Sequence, residues 1–444
     1  MKNLQPQGLW SNFYDLTQIP RPSGQKEAVS AFLANYGRSL GLETIVDGIG
    51  NVIIRKPASP GYENHPGVIL QGHMDMVPQK NNDTNFDFAK DPIEAYVDGE
   101  WVTAKGTTLG ADNGIGVAAA MAILADKSVV HPPLEVLVTV DEETGMYGAF
   151  ALEGGLLQGK TLLNLDSEAE GELYVGCAGG VDTTAKFAYT PVEVEEGDVA
   201  VKVSVTGCKG GHSGCDIHLQ RANANKLLFR FLKEAVANYE ARLASVEGGS
   251  LRNAIPREAS AVITIPAEGL DDIMDLVAEC EDLFIAEYDG VEDNIHFTAE
   301  QVECPVTELP EDVQDFLIHA ITACPHGVYR VIPEMPDVVE TSNNLAMLTT
   351  ENNCVTVMCL TRSSVESRKE ELQEIIQSVF AMAGAEVEFS GSYPGWKPNL
   401  KSHILEVMQQ TYQTNYGVDP RVIIIHAGLE CGIIGRNYPG MDMI

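Results

Sequence analysis

A mainly parallel α/β sheet covered by helices, with an α+β lid domain inserted into it, is the architecture this sequence predicts, and three observations carry it. Short apolar runs of strand length, at 68–71, 134–140 and 161–165, alternate with helical segments, the pattern of strands buried on both faces. The 444 residues are too many for one compact core, so two or three domains are expected. Around 190–199 the texture changes to Pro, Glu, Gly and Asp, and the original texture of helix and buried strand returns only beyond Trp396. The expected segments are residues 1–186 for the first part of the sheet domain, 187–389 for the lid and 390–444 for the second part.

Residues 9–40 carry helical periodicity broken by the turn cluster Ile19-Pro20-Arg21-Pro22-Ser23-Gly24. Strands are predicted at 51–55 and 68–71, and 78–98 reads as a polar loop. Gly110-Ala111-Asp112-Asn113-Gly114 opens a helix of small residues through Leu124. The strand at 134–140 ends in Asp141-Glu142-Glu143-Thr144-Gly145, and that at 161–165 ends in Asp166-Ser167-Glu168. In the lid, strands at 201–205 and 261–265 accompany helices at 225–236 and 271–287. A second set follows, with helices at 311–322 and 367–382 and strands at 338–341 and 354–360, so that each half reads as strand, helix, strand, strand, helix, strand. That order suggests an internal structural duplication. A helix at 402–416 and a strand at 422–426 rejoin the first domain.

Composition excludes several function classes. With 64 acidic against 29 basic residues the net charge is −35, a surface that repels phosphate backbones and anionic lipid, so neither nucleic acid nor membrane is an expected partner. No run of about 18 apolar residues suggests a membrane span, and the start Met1-Lys2-Asn3-Leu4-Gln5-Pro6 lacks the features of a signal peptide. Nine cysteines without a Cys-x-x-Cys pair argue against a disulfide framework and a thiolate zinc site, and fit a reducing cytoplasm.

The chemistry gathers at strand ends. His73 and Asp75 are two apart, so in an extended backbone both face one side. A metal-bound imidazole commonly uses its second nitrogen to meet a carboxylate. Asp112, Glu142 with Glu143, and Asp166 follow at successive strand ends, where ligands bind in open parallel sheets. Each has an innocent reading alone: Asp112 as a helix cap, the glutamate pair as a solvated loop, Asp166 as a turn residue. Together, carboxylates at the ends of buried strands call for a compensating cation. The chemistry they suit is metal-assisted hydrolysis, with a carboxylate bridging two divalent ions. Adjacent Glu142 and Glu143 point in different directions, so one can bind metal while the other takes a proton from the attacking water. With O and N donors and no sulfur, zinc is expected, and manganese or cobalt would fit.

Gly72-His73-Met74-Asp75-Met76-Val77-Pro78, Thr108-Leu109-Gly110-Ala111-Asp112-Asn113-Gly114, Asp141-Glu142-Glu143-Thr144-Gly145 and Leu165-Asp166-Ser167-Glu168 resemble the motifs of the aminoacyl-histidine dipeptidases. That family belongs to the aminoacylase and carnosinase-like group of di-metal, di-zinc peptidases. Lys209-Gly210-Gly211-His212-Ser213-Gly214, Leu251-Arg252-Asn253-Ala254-Ile255-Pro256-Arg257 and His426-Ala427-Gly428-Leu429-Glu430-Cys431 extend the resemblance over essentially the whole chain.

The resemblance implies hydrolysis of dipeptides, Xaa-His and β-alanyl-histidine types included, in the cytoplasm. It makes Asp112 the bridging ligand, His73 and Asp166 the other ligands of one metal, Glu143 a ligand of the second, Glu142 the general base and Asp75 the residue that orients His73. His212 is similar to the histidine that stabilises the tetrahedral oxyanion. Asn253, Arg362, His426 and Gly428 are similar to substrate-binding groups, with Arg362 on the C-terminal carboxylate, which a guanidinium fork suits. Lid closure would bring Arg362 and His212 to the metals. The family takes a further histidine for its second metal from a segment beyond the position of Ile444, so a loosely held second metal is expected. The small-molecule dipeptide is the expected partner, with a homodimer also admitted. The rival readings are a hydrolase of other N-acyl amino acids and a non-catalytic peptide- or metal-binding descendant.

Overall fold

The computed structural model describes residues 1–444. Its contacts divide the chain into two units: Met1–Gly176 with Pro398–Ile424 and Leu429–Ile444, and Cys177–Lys397 with Ile425–Gly428. No helix is long and apolar enough to cross a membrane.

The first unit is built on a six-stranded sheet ordered Glu43–Val46, Val52–Lys56, Leu134–Thr139, Val68–His73, Thr161–Asn164, Asp442–Met443. The last four run parallel, and Val52–Lys56 joins Leu134–Thr139 antiparallel. Val68–His73 therefore lies inside the sheet between two parallel neighbours, which is why its residues form a continuous buried run rather than an alternating one. The helix Ala111–Ala125 buries Val117, Ala118, Met121 and Leu124 in the same core as Leu70, Val136 and Val138, together with Phe13 and Leu16 of Gln7–Thr17. Gly72 permits this close approach, since a Cβ there would lie 2.1 Å from Asn113 Oδ1. The sequence-predicted loop at 78–98 differs at its end: Ala95–Asp98 forms a hairpin with Trp101–Ala104. The β-branched and aromatic residues Tyr96, Val97, Trp101, Val102 and Thr103 favour pairing that a count of polar neighbours obscures.

The second unit holds a nine-stranded antiparallel sheet. Its order is His296–Val302, Asp198–Thr206, Ala259–Pro266, Arg242–Gly248, Met335–Glu351, Cys354–Ser363, Gly179–Ala188, Glu386–Tyr393, with Gly327–Ile332 paired to Met335–Glu351. In chain order, the first four strands stand last-first-third-second. The next four repeat that order in the opposite direction, and the two sets meet where Gly248 pairs with Leu348. Each set carries two helices, Ala224–Asn238 and Leu270–Glu287 in one, Glu311–Ala323 and Glu366–Met382 in the other. The repeated strand-helix-strand-strand-helix-strand order is present, with one set inserted after the first strand of the other. That insertion puts Gly179–Ala188 in the second unit, although its early position in the chain reads as a continuation of the first. The Pro- and Glu-rich stretch at 190–199 is accordingly a connection inside the second unit, leading from Gly179–Ala188 to Asp198–Thr206. Phe229, Phe231, Phe297, Leu345 and Phe380 lie in its core.

Candidate functional site

In the first unit the parallel strand Val68–His73 delivers His73 to the sheet's carboxyl end, buried at 1% exposure. Its Nε2 lies 2.9 Å from Asp112 Oδ1 and 3.5 Å from Asp166 Oδ1. One ligand atom from each of His73, Asp112 and Asp166 falls within 4.8 Å of the others. Asp112 does not cap its helix: its backbone departs from helical geometry (φ −77°, ψ 116°) and its carboxylate turns to His73. The peptide bond between Asp112 and Asn113 is cis. Asn113 ties the arrangement together, its Oδ1 accepting from His73 N–H at 3.3 Å and its Nδ2 donating to Leu165 O at 2.7 Å.

Asp75 anchors the opposite side. His73 Nδ1 lies 3.2 Å from its carbonyl and 3.4 Å from Oδ1, which leaves Nε2 directed at Asp112 and Asp166. Asp75 also accepts from Ser23 Oγ at 2.7 Å and from the backbone N–H groups of Glu142 at 3.1 Å and Glu143 at 3.4 Å. One carboxylate thus sets both the imidazole and the loop carrying the two glutamates. Glu143 stands outside the three-residue ligand group, close enough to Asp112 for the two carboxylates to repel.

Electrostatics tests whether a cation fits. Burial opposes a charged His73, yet its hydrogen bonds with Asp112, Asp166 and Asp75 raise it far above an ordinary histidine. Burial, with Glu430 next, pushes Glu142 up to about 8, and burial with Asp112 pushes Glu143 up to about 7. Several carboxylates crowd one imidazole, and the glutamates resist ionising beside them. A divalent cation would relieve that strain, and the imidazole Nε2 and carboxylate oxygens are the donors it needs. The residues fit a metal.

Two groups in this unit were illegible from the sequence. Arg21, from the Pro20-Arg21-Pro22 turn, is 2% exposed and donates through Nη1 to Met74 O and Asp75 O and through Nη2 to Gly110 O. Burial lowers it to about 10, partly offset by Asp75, Asp112 and Glu143, so it stays charged and pins the two loops that carry Asp75 and Asp112. Glu430, at the start of the helix Glu430–Asn437, is wholly buried and pushed up to about 7 by burial. Its Oε2 accepts from Gln71 Nε2 at 2.6 Å and Thr139 Oγ1 at 2.9 Å. Gln71 Oε1 in turn accepts from Asn164 Nδ2 at 2.6 Å, and Asn164 Oδ1 accepts from Asp166 N–H at 2.9 Å. The only sequence signal for Glu430 was its place in the His426–Cys431 motif.

The second unit gathers the other candidates. His212 Nδ1 accepts from Gly214 N–H at 3.1 Å and Cys215 N–H at 3.0 Å, which leaves the ring proton on Nε2. Burial and the nearby Arg362 lower its pKa, so the ring is a neutral donor. His212 pairs with Ala254, next to Asn253, whose carbonyl accepts from Ser213 N–H at 2.8 Å. Arg362 is 5% exposed and meets two hydroxyls, Ser213 Oγ at 3.3 Å and Tyr393 Oη at 2.7 Å, with no carboxylate within salt-bridge range. His426 is buried, held by Ser342 Oγ at 2.8 Å, and lowered to about 3 by burial and by Arg362. Gly428 closes the 425–428 segment, beside Ala427, whose carbonyl accepts from Ala178 N–H at 3.1 Å.

A parallel sheet with an imidazole–carboxylate ligand set at its strand ends defines a class, the metal-dependent hydrolases, and comparison with known proteins narrows it. Residues 69–444 match the peptidase family M20/M25/M40, and the chain belongs to that family. It is 45% identical over 444 residues to the cytosol non-specific dipeptidase of Escherichia coli, covering 100% of this chain and 92% of that protein. The crystal structure of aminoacylhistidine dipeptidase from Vibrio alginolyticus is similar at 48% identity and a TM-score of 0.95, over 100% of this chain and 90% of the other. The aminopeptidase PepT structure from Bacillus cereus shares the fold at 16% identity and a TM-score of 0.55, covering 99% and 89%.

Proposed function

We propose that this chain hydrolyses dipeptides carrying a free C-terminal carboxylate, Xaa-His and β-alanyl-histidine among them, with Glu142 as general base. It is a metal-dependent dipeptidase of its family. The observation that carries the residue-level reading is the ligand set of His73, Asp112 and Asp166 with Glu142 on the loop that Asp75 holds. Held there, with Glu143 and Asp112 receiving a second ion, zinc or alternatively manganese or cobalt would polarise the scissile carbonyl and make a bound water a nucleophile at neutral pH.

The chain's own groups supply the remainder. Asp75 keeps His73 in the tautomer that turns Nε2 inward. Glu142 takes the proton of the attacking water and passes it to the leaving amine. His212, with its proton on Nε2, donates to the developing oxyanion. Asn253, His426 and Gly428 border the substrate, and Arg362 reads its carboxylate. A buried guanidinium hydrogen-bonded only to hydroxyls, with Asp182 acting on it at longer range, supports that last role, because a buried charge without a directly paired anion is costly until one arrives. The cytoplasm is the proposed compartment, since the Escherichia coli relative is named as cytosolic.

Arg362→Lys tests the carboxylate reading. Lys keeps the charge but loses the two-pronged geometry, and a hydrogen bond to a charged group is worth roughly 1.5–3 kcal/mol. KM for a dipeptide should rise by about tenfold or more, while the melting temperature moves little. The comparison is a dipeptide against its C-terminal amide: if the wild type handles both equally, Arg362 is not reading the carboxylate.

A further inference from the structure

Arg362 does not stand alone on its sheet face. In the register of the second unit, Ser342 pairs with Arg362, Arg362 with Gly180, and Gly180 with Tyr393, so one row crosses four antiparallel strands. Directly opposed residues in such a sheet put their side chains on one face. Ser342 holds His426 at one end of the row, and Tyr393 closes the other.

Two features place Tyr393 there. Ser390 pairs with Asp182, and regular pairing would bring Ser392 opposite Gly180. The register instead shifts between Ser390 and Tyr393, so the irregularity re-aims the strand by one residue and delivers the tyrosine. The second feature is Gly180 itself. A Cβ at this position would lie 2.6 Å from the Tyr393 hydroxyl and 2.7 Å from two of its ring carbons. The phenol therefore crosses above the bare backbone of Gly180 and reaches Arg362 Nη1 at 2.7 Å. From below, Lys369, 1% exposed, donates to Tyr393 O at 2.8 Å and to Ser392 Oγ at 3.3 Å, which fixes the irregular turn of strand.

The hydrogen-bond inventory of the phenol is then half used. Its oxygen accepts from Arg362, and no group in the protein accepts its own proton. Burial raises its pKa, so that proton is retained at neutral pH. The donor sits beside a guanidinium whose side-chain hydrogen bonds go only to hydroxyls, with Asp182 acting on it at longer range.

We propose that Tyr393 is a second reader of the substrate's C-terminal carboxylate, donating its phenolic proton to the group that Arg362 takes, with Gly180 as the glycine that makes room for it. This rests on the reading of Arg362 given above. It makes the row from Ser342 to Tyr393 the specificity device of the second unit.

The test is the ratio of kcat/KM for a dipeptide over its C-terminal amide, in the metal-loaded protein. Tyr393→Phe should lower that ratio by roughly tenfold or more, the worth of one hydrogen bond to a charged group, through KM and with kcat largely kept. Gly180→Ala, which retains both polar groups but displaces the ring, should lower the same ratio. In an Arg362→Lys background, Tyr393→Phe should still raise KM for the dipeptide. No further change there would mean that Tyr393 acts only by orienting Arg362, and would overturn direct recognition. A wild type that prefers the free acid, with Tyr393→Phe showing an unchanged ratio, would overturn the inference alone. A wild type indifferent to the amide would instead remove the reading of Arg362 on which it rests.

Discussion

Glu142→Gln should lower kcat by roughly 10²–10⁴-fold, the usual contribution of a positioned general base, while metal content stays near that of the wild type. Its backbone is held by Asp75 Oδ1 at 3.1 Å, so the amide side chain occupies the same place but has no site for the proton. Burial and Glu430 make Glu142 reluctant to ionise, pushing it up to about 8. A bound cation would lower that value toward neutrality, where a general base is most effective. Glu143 faces Asp112, the proposed bridging ligand, and its substitution should cost metal rather than the chemical step. Loss of metal from Glu142→Gln, with Glu143→Gln still loaded, would show that the two roles are exchanged.

Asp112→Asn should strip the site. Asp112 Oδ1 is 2.9 Å from His73 Nε2, and of the proposed ligands Asp112 is the one that would serve both ions. Outer partners of a metal ligand cost about 10–100-fold in affinity when changed, and a ligand common to two ions should cost more. Asn keeps the shape, and Asn113 still ties the loop to His73 N–H and Leu165 O. The variant should therefore fold, fail to retain metal through dialysis and lose dipeptide turnover. Metal analysis beside a thermal melt separates loss of the site from loss of the fold.

Much of the catalytic unit was legible because its signals are local. Three strand ends, each an apolar run closing on His, Asp or Glu, carry the information within a few residues, and the parallel sheet aligns those ends, whereas Asp112 comes from the start of the helix Ala111–Ala125. His73 and Asp75 at spacing two were readable for the same reason. Asp112 was ambiguous, since a small-residue helix beginning just beside it suits a cap equally well. Only the turn of its backbone out of helical geometry directs it to His73. Arg21 was hidden because a basic residue between two prolines reads as solvent-exposed. Its burial depends on carbonyls of Met74, Asp75 and Gly110, which converge from distant parts of the chain. Glu430 was hidden likewise, its partners Gln71 and Thr139 lying about 359 and 291 residues away.

The second unit shows the limit more sharply. Its repeated order of strands and helices was visible in the pattern, but the insertion of one repeat into the other was not. Gly179–Ala188 therefore read as a continuation of the segment before it. The row of Ser342, Arg362, Gly180 and Tyr393 depends on register across strands far apart in the chain, and on a one-residue irregularity in the last of them. No local spacing encodes that.

The most direct measurement is turnover of a Xaa-His dipeptide, a dipeptide without histidine and an N-acetyl amino acid by the purified chain. Each is assayed as prepared, after chelation and dialysis, and after return of zinc or manganese, with metal content measured alongside. The expected result is hydrolysis of both dipeptides well above the N-acetyl amino acid, lost with the metal and restored by its return. Turnover that survives complete removal of metal, or a preference for the N-acetyl amino acid, would contradict a metal-dependent dipeptidase centred on His73, Asp112 and Asp166.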